Sequence, residues 1–356
     1  MKVCILGDGL TSLSLAKSLI NLGIYVDIFY NKKIKKQNNS RTIGITKSNA
    51  EFFNKNISNF KKILWDIKKI EIYSENLKQN KMLNFENNNQ IIFSTLKNDD
   101  LYNLLCLDLI KSKFFKFKKN RKVFKVKNQK YDLIINCDYN SLITKKFFYN
   151  KISKNYNSTA YTAIIRHKKI VNNLAIQIFT NLGPIAFLPI SKEETSVVFS
   201  INGQRNVDIK TLIKKYNKKY LIEDISEFSK FELRSSNLRN YHYKNILAFG
   251  DILHKLHPLA GQGFNMTVRD IKVLLEIVKN RIEHGLELDS SVCLEFENNV
   301  KHKNFIFSNG IDFIYEFFKL ERKDKTKILG SFVKYLGKNK FTNQVFTKFA
   351  DNGLII

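Results

Sequence analysis

The chain has 356 residues, of which 44% are hydrophobic, so it is long enough to bury a large core and to form two intertwined domains. No apolar run approaches the roughly 18 residues of a membrane-spanning helix, and the four separated cysteines indicate neither disulfides nor a metal motif. The net charge is +28, with 51 lysines and only nine arginines spread along the chain. Because nucleic-acid-binding elements cluster arginine and aromatic residues, we expect no nucleic acid partner. Because the lysines are dispersed, we attribute the positive charge to a codon bias. The alternative explanation is attraction to anionic lipid.

The first predicted elements are a strand at Lys2–Leu6, an amphipathic helix with its apolar face between Leu13 and Ile20, and a strand at Ile24–Phe29. The turn between the first two reads Gly7-Asp8-Gly9-Leu10-Thr11-Ser12. This order is typical of a dinucleotide fold, with a pyrophosphate over the helix N-terminus. By itself the motif fits an ordinary tight turn equally well. The acid expected at the end of the second strand is replaced by Tyr30.

A second glycine-rich loop lies between a predicted strand at Asn245–Phe249 and a predicted helix that starts near Met266. It reads Gly250-Asp251-Ile252-Leu253-His254-Lys255-Leu256-His257-Pro258-Leu259-Ala260-Gly261-Gln262-Gly263-Phe264-Asn265. Two of its glycines, Gly261 and Gly263, let the backbone approach a ligand because they lack a Cβ, and amides at a helix N-terminus favour negative charge. The loop therefore predicts a flat, anionic or electron-accepting ligand. A metal at the two histidines is not expected, since no cysteine or acid cluster completes a site.

Together these loops resemble those of the flavin aromatic hydroxylases, and among them the ubiquinone-biosynthesis hydroxylases. The resemblance implies that the first loop binds the FAD pyrophosphate, and that the second binds the ribityl chain and lines the isoalloxazine. The FAD-binding residues that it implies are Gly7, Gly9, Leu10, Thr11, Arg41, Asp138, Asp251, Pro258, Gly261, Gly263, Phe264 and Asn265. The residues that it implies for catalysis, at the flavin face, are Pro258, Leu259 and Gly261.

Other segments match the same family in the same order. Arg41–Ser48 resembles the segment whose arginine reaches the cofactor, and Gly183–Ile190 resembles a strand of the substrate domain. The substrate-facing residues implied on that strand are Pro184, Ala186, Phe187 and Leu188. Thr195–Ser200 resembles the strand paired with it, and the region from Glu295 to Phe318 resembles the closing helices.

The resemblance implies an α/β fold, in which a Rossmann-like FAD-binding domain is intertwined with a mixed-sheet substrate domain and followed by C-terminal helices. We expect a discontinuous FAD-binding domain at 1–150 and 235–285, a β-sheet substrate domain at 151–234 and a helical region at 286–356. The sequence departs from the family at Cys137-Asp138-Tyr139, where Tyr139 replaces a glycine. Since tyrosine does not adopt a positive φ cheaply, the turn around Asp138 must differ.

The implied activity is that of an NAD(P)H- and FAD-dependent aromatic monooxygenase, which uses molecular oxygen through a flavin C4a-hydroperoxide. The implied substrate is a polyprenyl-phenol intermediate of ubiquinone biosynthesis. The departures at Tyr30 and Tyr139 support an alternative, a catalytically impaired homologue that acts as a flavin-binding or assembly subunit with other ubiquinone-biosynthesis proteins.

The charged start of the chain leads directly into the first strand, so no signal peptide is expected. A prenylated substrate resides in the bilayer. We therefore expect a cytoplasmic protein that is peripheral on the inner membrane, with an anionic membrane surface as partner. Lys325–Phe349 interleaves lysines with apolar residues at helical spacing. This pattern predicts either a basic amphipathic helix at that surface or a helix packed on the protein's own core.

Overall fold

A computed structural model describes residues 1–30, 41–75, 81–86, 90–119, 131–203, 207–257 and 262–323. The helices over these residues are α1 (Leu10–Ile20), α2 (Lys47–Asn56), α3 (Asn98–Ile110), α4 (Leu142–Phe147), α5 (Ile209–Tyr216), α6 (Gln262–Glu283) and α7 (Ser290–Lys323). The strands are β1 (Lys2–Leu6), β2 (Tyr25–Tyr30), β3 (Thr42–Thr46), β4 (Trp65–Ile67), β5 (Lys69–Ser74), β6 (Lys81–Glu86), β7 (Phe93–Lys97), β8 (Phe115–Lys119), β9 (Leu133–Asn136), β10 (Lys151–His167), β11 (Leu174–Thr180), β12 (Gly183–Pro189), β13 (Glu194–Asn202), β14 (Ile222–Ile225), β15 (Ser229–Leu238), β16 (His242–Tyr243), β17 (Ile246–Ala248) and β18 (His254–Lys255).

The first sheet has the strand order β16-β17-β9-β1-β2-β8. The pairs that join β17, β9, β1, β2 and β8 are parallel. Strand β1 is central and apolar, as expected for a strand covered on both faces. The predicted first strand and helix are confirmed, and the second strand lies one residue later than predicted.

The second sheet has nine strands in the order β18-β15-β10-β13-β12-β11-β5-β6, with β14 paired to β10. The pairing of β11 with β5 is parallel and that of β12 with β13 is antiparallel, so the predicted mixed sheet is confirmed. Strands β5 and β6 fall inside the range predicted for the FAD-binding domain, but they hydrogen-bond into this sheet. The chain crosses from one sheet to the other and back, and no local sequence pattern predicts this crossing.

Each face of the nine-stranded sheet carries its own apolar cluster. On one face, which we call the outer face, Phe187 and Phe199 pack with Ile213 and Tyr216 of α5. On the other, which we call the inner face, Ala160 and Phe179 pack with side chains of α6 and α7. The inner face therefore looks toward the helices that follow the second glycine-rich loop.

Helix α6 begins at Gln262, four residues before the predicted start. The first turn of a helix lacks intrahelical acceptors for its amides, so Gly263 is tolerated there. The predicted closing helices form one long helix, α7. Among the described helices, none has the length together with the apolar composition that crossing a membrane requires. The predicted amphipathic segment Lys325–Phe349 lies outside the described residues.

Candidate functional site

Three loops meet at the carboxyl edge of the parallel sheet, after β1, β9 and β17. Gly7 has a φ of +98°, and a Cβ placed on it would lie 3.2 Å from the backbone nitrogen of Asp138. Gly250 has a φ of +66°, and a Cβ there would lie 2.8 Å from Cγ2 of Thr11. The first loop is thus packed directly against both of the others. This edge, at the point where the strand order reverses, is where open α/β sheets bind their ligands.

The N-terminus of α1 faces this junction without a side-chain cap. Its N-cap residue is Gly9, and its first turn contains no acidic residue. Among the atoms of the described residues, none lies within 4 Å of a Cβ placed on Gly9 or on Gly263. The two loops therefore leave open space beside two helix N-termini, those of α1 and α6. Such a cradle fits an anionic group that approaches the backbone closely.

Carboxylates surround the same junction. Burial raises the pKa of Asp8 above its usual value, and the neighbouring Asp138 raises it further. Burial also raises the pKa of the Cys137 thiol to about 12, and the charges of Asp251 and Asp138 act in the same direction. Asp251 itself is exposed in a 3-10 turn at Gly250–Ile252. An exposed carboxylate at this edge can accept hydrogen bonds from hydroxyl groups of a ligand.

The turn around Asp138 is built from side-chain hydrogen bonds rather than from a glycine. Asp138 Oδ1 accepts a hydrogen bond from the backbone N–H of Asn140 at 2.9 Å. Ser141 caps α4 by accepting from the N–H of Thr144 at 3.1 Å. Tyr139 is not among the described residues with positive φ, in agreement with the expectation that this turn differs.

Two of the residues implied as FAD contacts have side chains committed to the protein. Asn265 Oδ1 accepts from the backbone N–H of Thr46 at 2.9 Å, and its Nδ2 donates to the carbonyl of Gly44 at 2.9 Å. Phe264 packs on the main core, with its ring 6.3 Å from that of Phe53. These side chains join α6 to β3 and α2. The buried Asn265 therefore leaves only its backbone to face a ligand, whereas Phe264 is partly exposed.

Arg41 and Leu10 lie on different elements of the fold. Leu10 opens α1 and packs partly against the core. Arg41 is exposed just before β3, and its guanidinium lies 5.4 Å from the ring centre of Phe231 on β15. Arg41 therefore bridges toward the inner face of the nine-stranded sheet.

Strand β12 does not present all four implied substrate residues to one face. Ala186 and Leu188 are half-buried, whereas Phe187 is buried in the outer-face cluster, with its ring 6.1 Å from that of Tyr220. Side chains alternate along a strand, so Phe187 points away from Ala186 and Leu188. Pro184 shares the face of Ala186, opposite Phe179 in the inner-face cluster. Phe187 therefore cannot line the same wall as Pro184, Ala186 and Leu188.

The histidines of the second loop form two buried contacts that the sequence did not reveal. His254 Nε2 lies 2.5 Å from Asp270 Oδ2, and Asn304 donates to Asp270 Oδ1 at 3.0 Å. His257 packs between two tyrosine rings, Tyr156 at 4.8 Å and Tyr315 at 4.4 Å. One available signal was Asp270 itself, a carboxylate on the apolar face of α6 that needs a buried partner. Pro258, Leu259 and Gly261, the residues implied for catalysis, lie outside the described residues.

Comparison with known proteins finds similarity to an FAD-binding family and to ubiquinone-biosynthesis proteins. Residues 204–283 match the family described as an FAD binding domain. The chain is 24% identical over 226 residues to the mitochondrial ubiquinone biosynthesis monooxygenase COQ6 of Danio rerio, a match that covers 51% of this chain and 47% of that protein. It is 28% identical over 150 residues to the 3-demethoxyubiquinol 3-hydroxylase of Escherichia coli K12, covering 39% and 38%. The chain thus spans about half the length of the Danio rerio relative, and less of the bacterial one.

Solved structures show the fold over nearly the whole chain. The p-nitrophenol 4-monooxygenase PnpA of Pseudomonas putida DLL-E4 matches with a TM-score of 0.78 at 11% identity, covering 99% of this chain and 98% of that one. HpxO of Klebsiella pneumoniae, solved with FAD and uric acid, matches with a TM-score of 0.75 at 11% identity, covering 99% and 96%. At this identity the likeness establishes the architecture alone.

Proposed function

We propose that this chain binds FAD and hydroxylates the ring of a prenylated phenol, with NAD(P)H as electron donor and oxygen as co-substrate. Its similarity to an FAD-binding family and to ubiquinone-biosynthesis hydroxylases supports the proposal. The observation that carries the proposal is the junction of the three loops at the carboxyl edge of the parallel sheet. Its positive-φ glycines, uncapped helix N-terminus and exposed carboxylate are the groups that a dinucleotide requires.

Different residues at that junction would bind different parts of the cofactor. The N-terminus of α1, at Gly9 and Thr11, would bind the pyrophosphate through backbone amides. Asp251 would accept a hydrogen bond from a ribityl hydroxyl. The N-terminus of α6, at Gly263, would stabilise negative charge on the ring system. Bound flavin supplies the chemistry of hydride acceptance and oxygen activation, which no side chain provides.

The nine-stranded sheet would supply the substrate wall. Pro184, Ala186 and Leu188 share the inner face with an apolar cluster that includes Phe179 and Phe231. Such a wall excludes water and accepts a phenol ring with an apolar tail. The hydroxyl of the phenol makes its ring electron-rich, so the protein has to orient the ring rather than activate it.

The charge and surface of the chain support association with an anionic membrane. The net charge is +28. On α7, Phe313 is 71% exposed and Leu320 is 58% exposed, and they stand seven residues apart on one side of the helix beside Lys319. An exposed aromatic and aliphatic pair next to lysine suits the headgroup boundary of a bilayer. We place the protein on such a surface because its substrate resides there.

Co-sedimentation with vesicles tests that association. Anionic vesicles should retain the protein at low salt and release it at high salt, and the double variant Phe313→Ser/Leu320→Ser should bind more weakly. Leu294→Ser is the matched control, because Leu294 is 51% exposed near the other end of α7. Equal recovery with anionic and neutral vesicles contradicts electrostatic docking.

Gene deletion tests the hydroxylation. Loss of the gene should lower ubiquinone and accumulate a less hydroxylated prenylphenol, and the wild-type gene should restore the pathway. A folded Asp251→Ala variant should not restore it, because it binds FAD poorly. Full restoration by that variant would instead support the assembly subunit that the departures at Tyr30 and Tyr139 suggest.

A further inference from the structure

The outer face of the nine-stranded sheet contains a cavity of about 100 Å³ that is separate from the loop junction. It lies where β5, β11 and β12 meet the end of α5 and the residues that follow it. The side chains that form most of its wall are Tyr73, Ile178, Phe187, Tyr216, Lys219 and Tyr220. Because Phe187 and Ala186 are adjacent on β12, one strand separates this cavity from the proposed substrate wall.

The hydroxyl groups of the three cavity tyrosines are hydrogen-bonded to other side chains of the protein. Tyr73 donates to Glu71 at 2.6 Å, Tyr216 to Glu75 at 3.1 Å and Tyr220 to Asn172 at 3.0 Å. Their rings are therefore held in place and present carbon surface to the cavity. Rigid rings of this kind favour stacked or edge-on contact with another aromatic ring.

Lys219 is the half-buried cation of this wall. Its ammonium donates to Asn172 Oδ1 at 3.3 Å and lies 5.1 Å from the ring centre of Tyr220. Burial lowers the pKa of Lys219, and the charge of Glu71 opposes that shift. An ammonium has three donors, so this one retains capacity for an anionic acceptor.

The charges around the cavity also favour an anion. Glu71 is neutralised by Lys81 at 2.5 Å and by Lys69 at 3.5 Å. Glu75 faces Lys215 at 3.9 Å. Lys218 lines the mouth and is exposed. Lys69 also pairs with Glu86 at 3.3 Å. Among the described residues around the cavity, five lysines therefore stand against three glutamates, so the local field is positive.

We propose that this cavity binds a small aromatic anion, a single ring that carries a carboxylate or phenolate. The ring lies among Phe187, Tyr216 and Tyr220, and the anionic oxygen accepts from Lys219. A closed apolar cavity of about 150 Å³ holds benzene. This cavity of about 100 Å³ is smaller but open on one side, so it admits no more than one ring, with part of that ring at the mouth. The site requires neither flavin nor turnover.

Fluorine NMR titration of the full chain with 4-fluorobenzoate tests the proposal. Wild type should show saturable binding in the millimolar range or tighter, and Lys219→Met should bind at least about fivefold more weakly. Lys214→Met, on the exposed side of α5, is the matched control and should bind like wild type. Absence of saturation in wild type, or equal affinity in the Lys219→Met protein, overturns the proposal.

A second measurement uses wild type alone, so it does not depend on the folding of a variant. Lysines are reductively methylated with and without 4-fluorobenzoate, and the extent at each is read by mass spectrometry. The probe should slow modification of Lys219 and leave that of Lys214 unchanged. Equal rates at Lys219 with and without the probe contradict the site, and 4-fluorotoluene, which lacks the charge, should protect less.

Discussion

His254 Nε2 lies 2.5 Å from Asp270 Oδ2, and both side chains are only 1% exposed. His254 lies in β18, in the first half of the second loop. Asp270 lies in α6, the helix that follows this loop. The pair therefore fixes the distance between the two ends of that loop segment. Asn304 extends the contact to α7.

Asp270→Ala should lower the free energy of unfolding by about 2–4 kcal/mol, because it leaves His254 and Asn304 buried without their acceptor. Urea denaturation measures the change. Glu276→Ala, at an exposed position of the same helix, should stay within about 0.5 kcal/mol of wild type. An effect of Asp270→Ala no larger than that control would show that the pair is unimportant for stability.

Gly250→Ala should destabilise the protein more than Gly285→Ala does. Both glycines have a φ of +66°, so both substitutions incur the same backbone strain of about 1–2 kcal/mol. Only at Gly250 would the new Cβ meet a neighbour, Thr11 Cγ2, at 2.8 Å. Thermal unfolding compares the two, and Thr11→Ser should recover part of the loss at Gly250. Equal destabilisation at both positions would mean that the two loops are not in contact.

Asp27 links stability to pH through the parallel sheet. Burial raises its pKa, but hydrogen bonds from Lys118, Tyr131 and Lys2 outweigh burial and hold the pKa below its usual value. A lowered carboxyl pKa stabilises the fold above the unfolded pKa, near 4, and the stabilisation disappears as the pH falls through the folded pKa. Asp27→Asn should therefore be less stable by about 1–3 kcal/mol at pH 7.

Denaturant unfolding of wild type and Asp27→Asn across pH checks this linkage. The difference between the two proteins should be full at neutral pH and should shrink on acidification below about pH 4. Asp132→Asn serves as control, since Asp132 is exposed and accepts from the backbone of Lys2 at 2.7 Å. A difference between wild type and Asp27→Asn that does not change with pH would contradict the assignment.

Local chemistry made part of this molecule predictable. The glycine loops could be predicted from the sequence, because a positive φ and a close approach of the backbone restrict the residue type at Gly7 and Gly250. The pairing of His254 with Asp270 was hidden, since it depends on how α6 packs against the strands. The crossing of β5 and β6 into the second sheet is equally non-local. The separation of Phe187 from Ala186 and Leu188 could be predicted, because neighbouring residues of a strand face opposite sides.

Asp251→Ala should weaken FAD binding by about 1.5–3 kcal/mol, the value of a hydrogen bond to a charged group, with little loss of stability. Asn265→Ala should mainly lower stability and affect FAD binding less, since the Asn265 side chain is hydrogen-bonded to the backbone of Thr46 and Gly44. Flavin fluorescence titration and thermal unfolding separate the two effects. A loss of stability without a loss of FAD affinity in Asp251→Ala would remove this residue from the site.

The central claim is that the loop junction binds FAD, and the absorbance spectrum of the purified full chain tests it most directly. The protein is incubated with excess FAD, separated from free ligand and scanned, and denaturation then shows whether the flavin is released. We expect one FAD per chain with the spectrum of a bound flavin, all of it released on denaturation. Elution of all the flavin with the small molecules, from a chain that is folded by circular dichroism, would contradict the account.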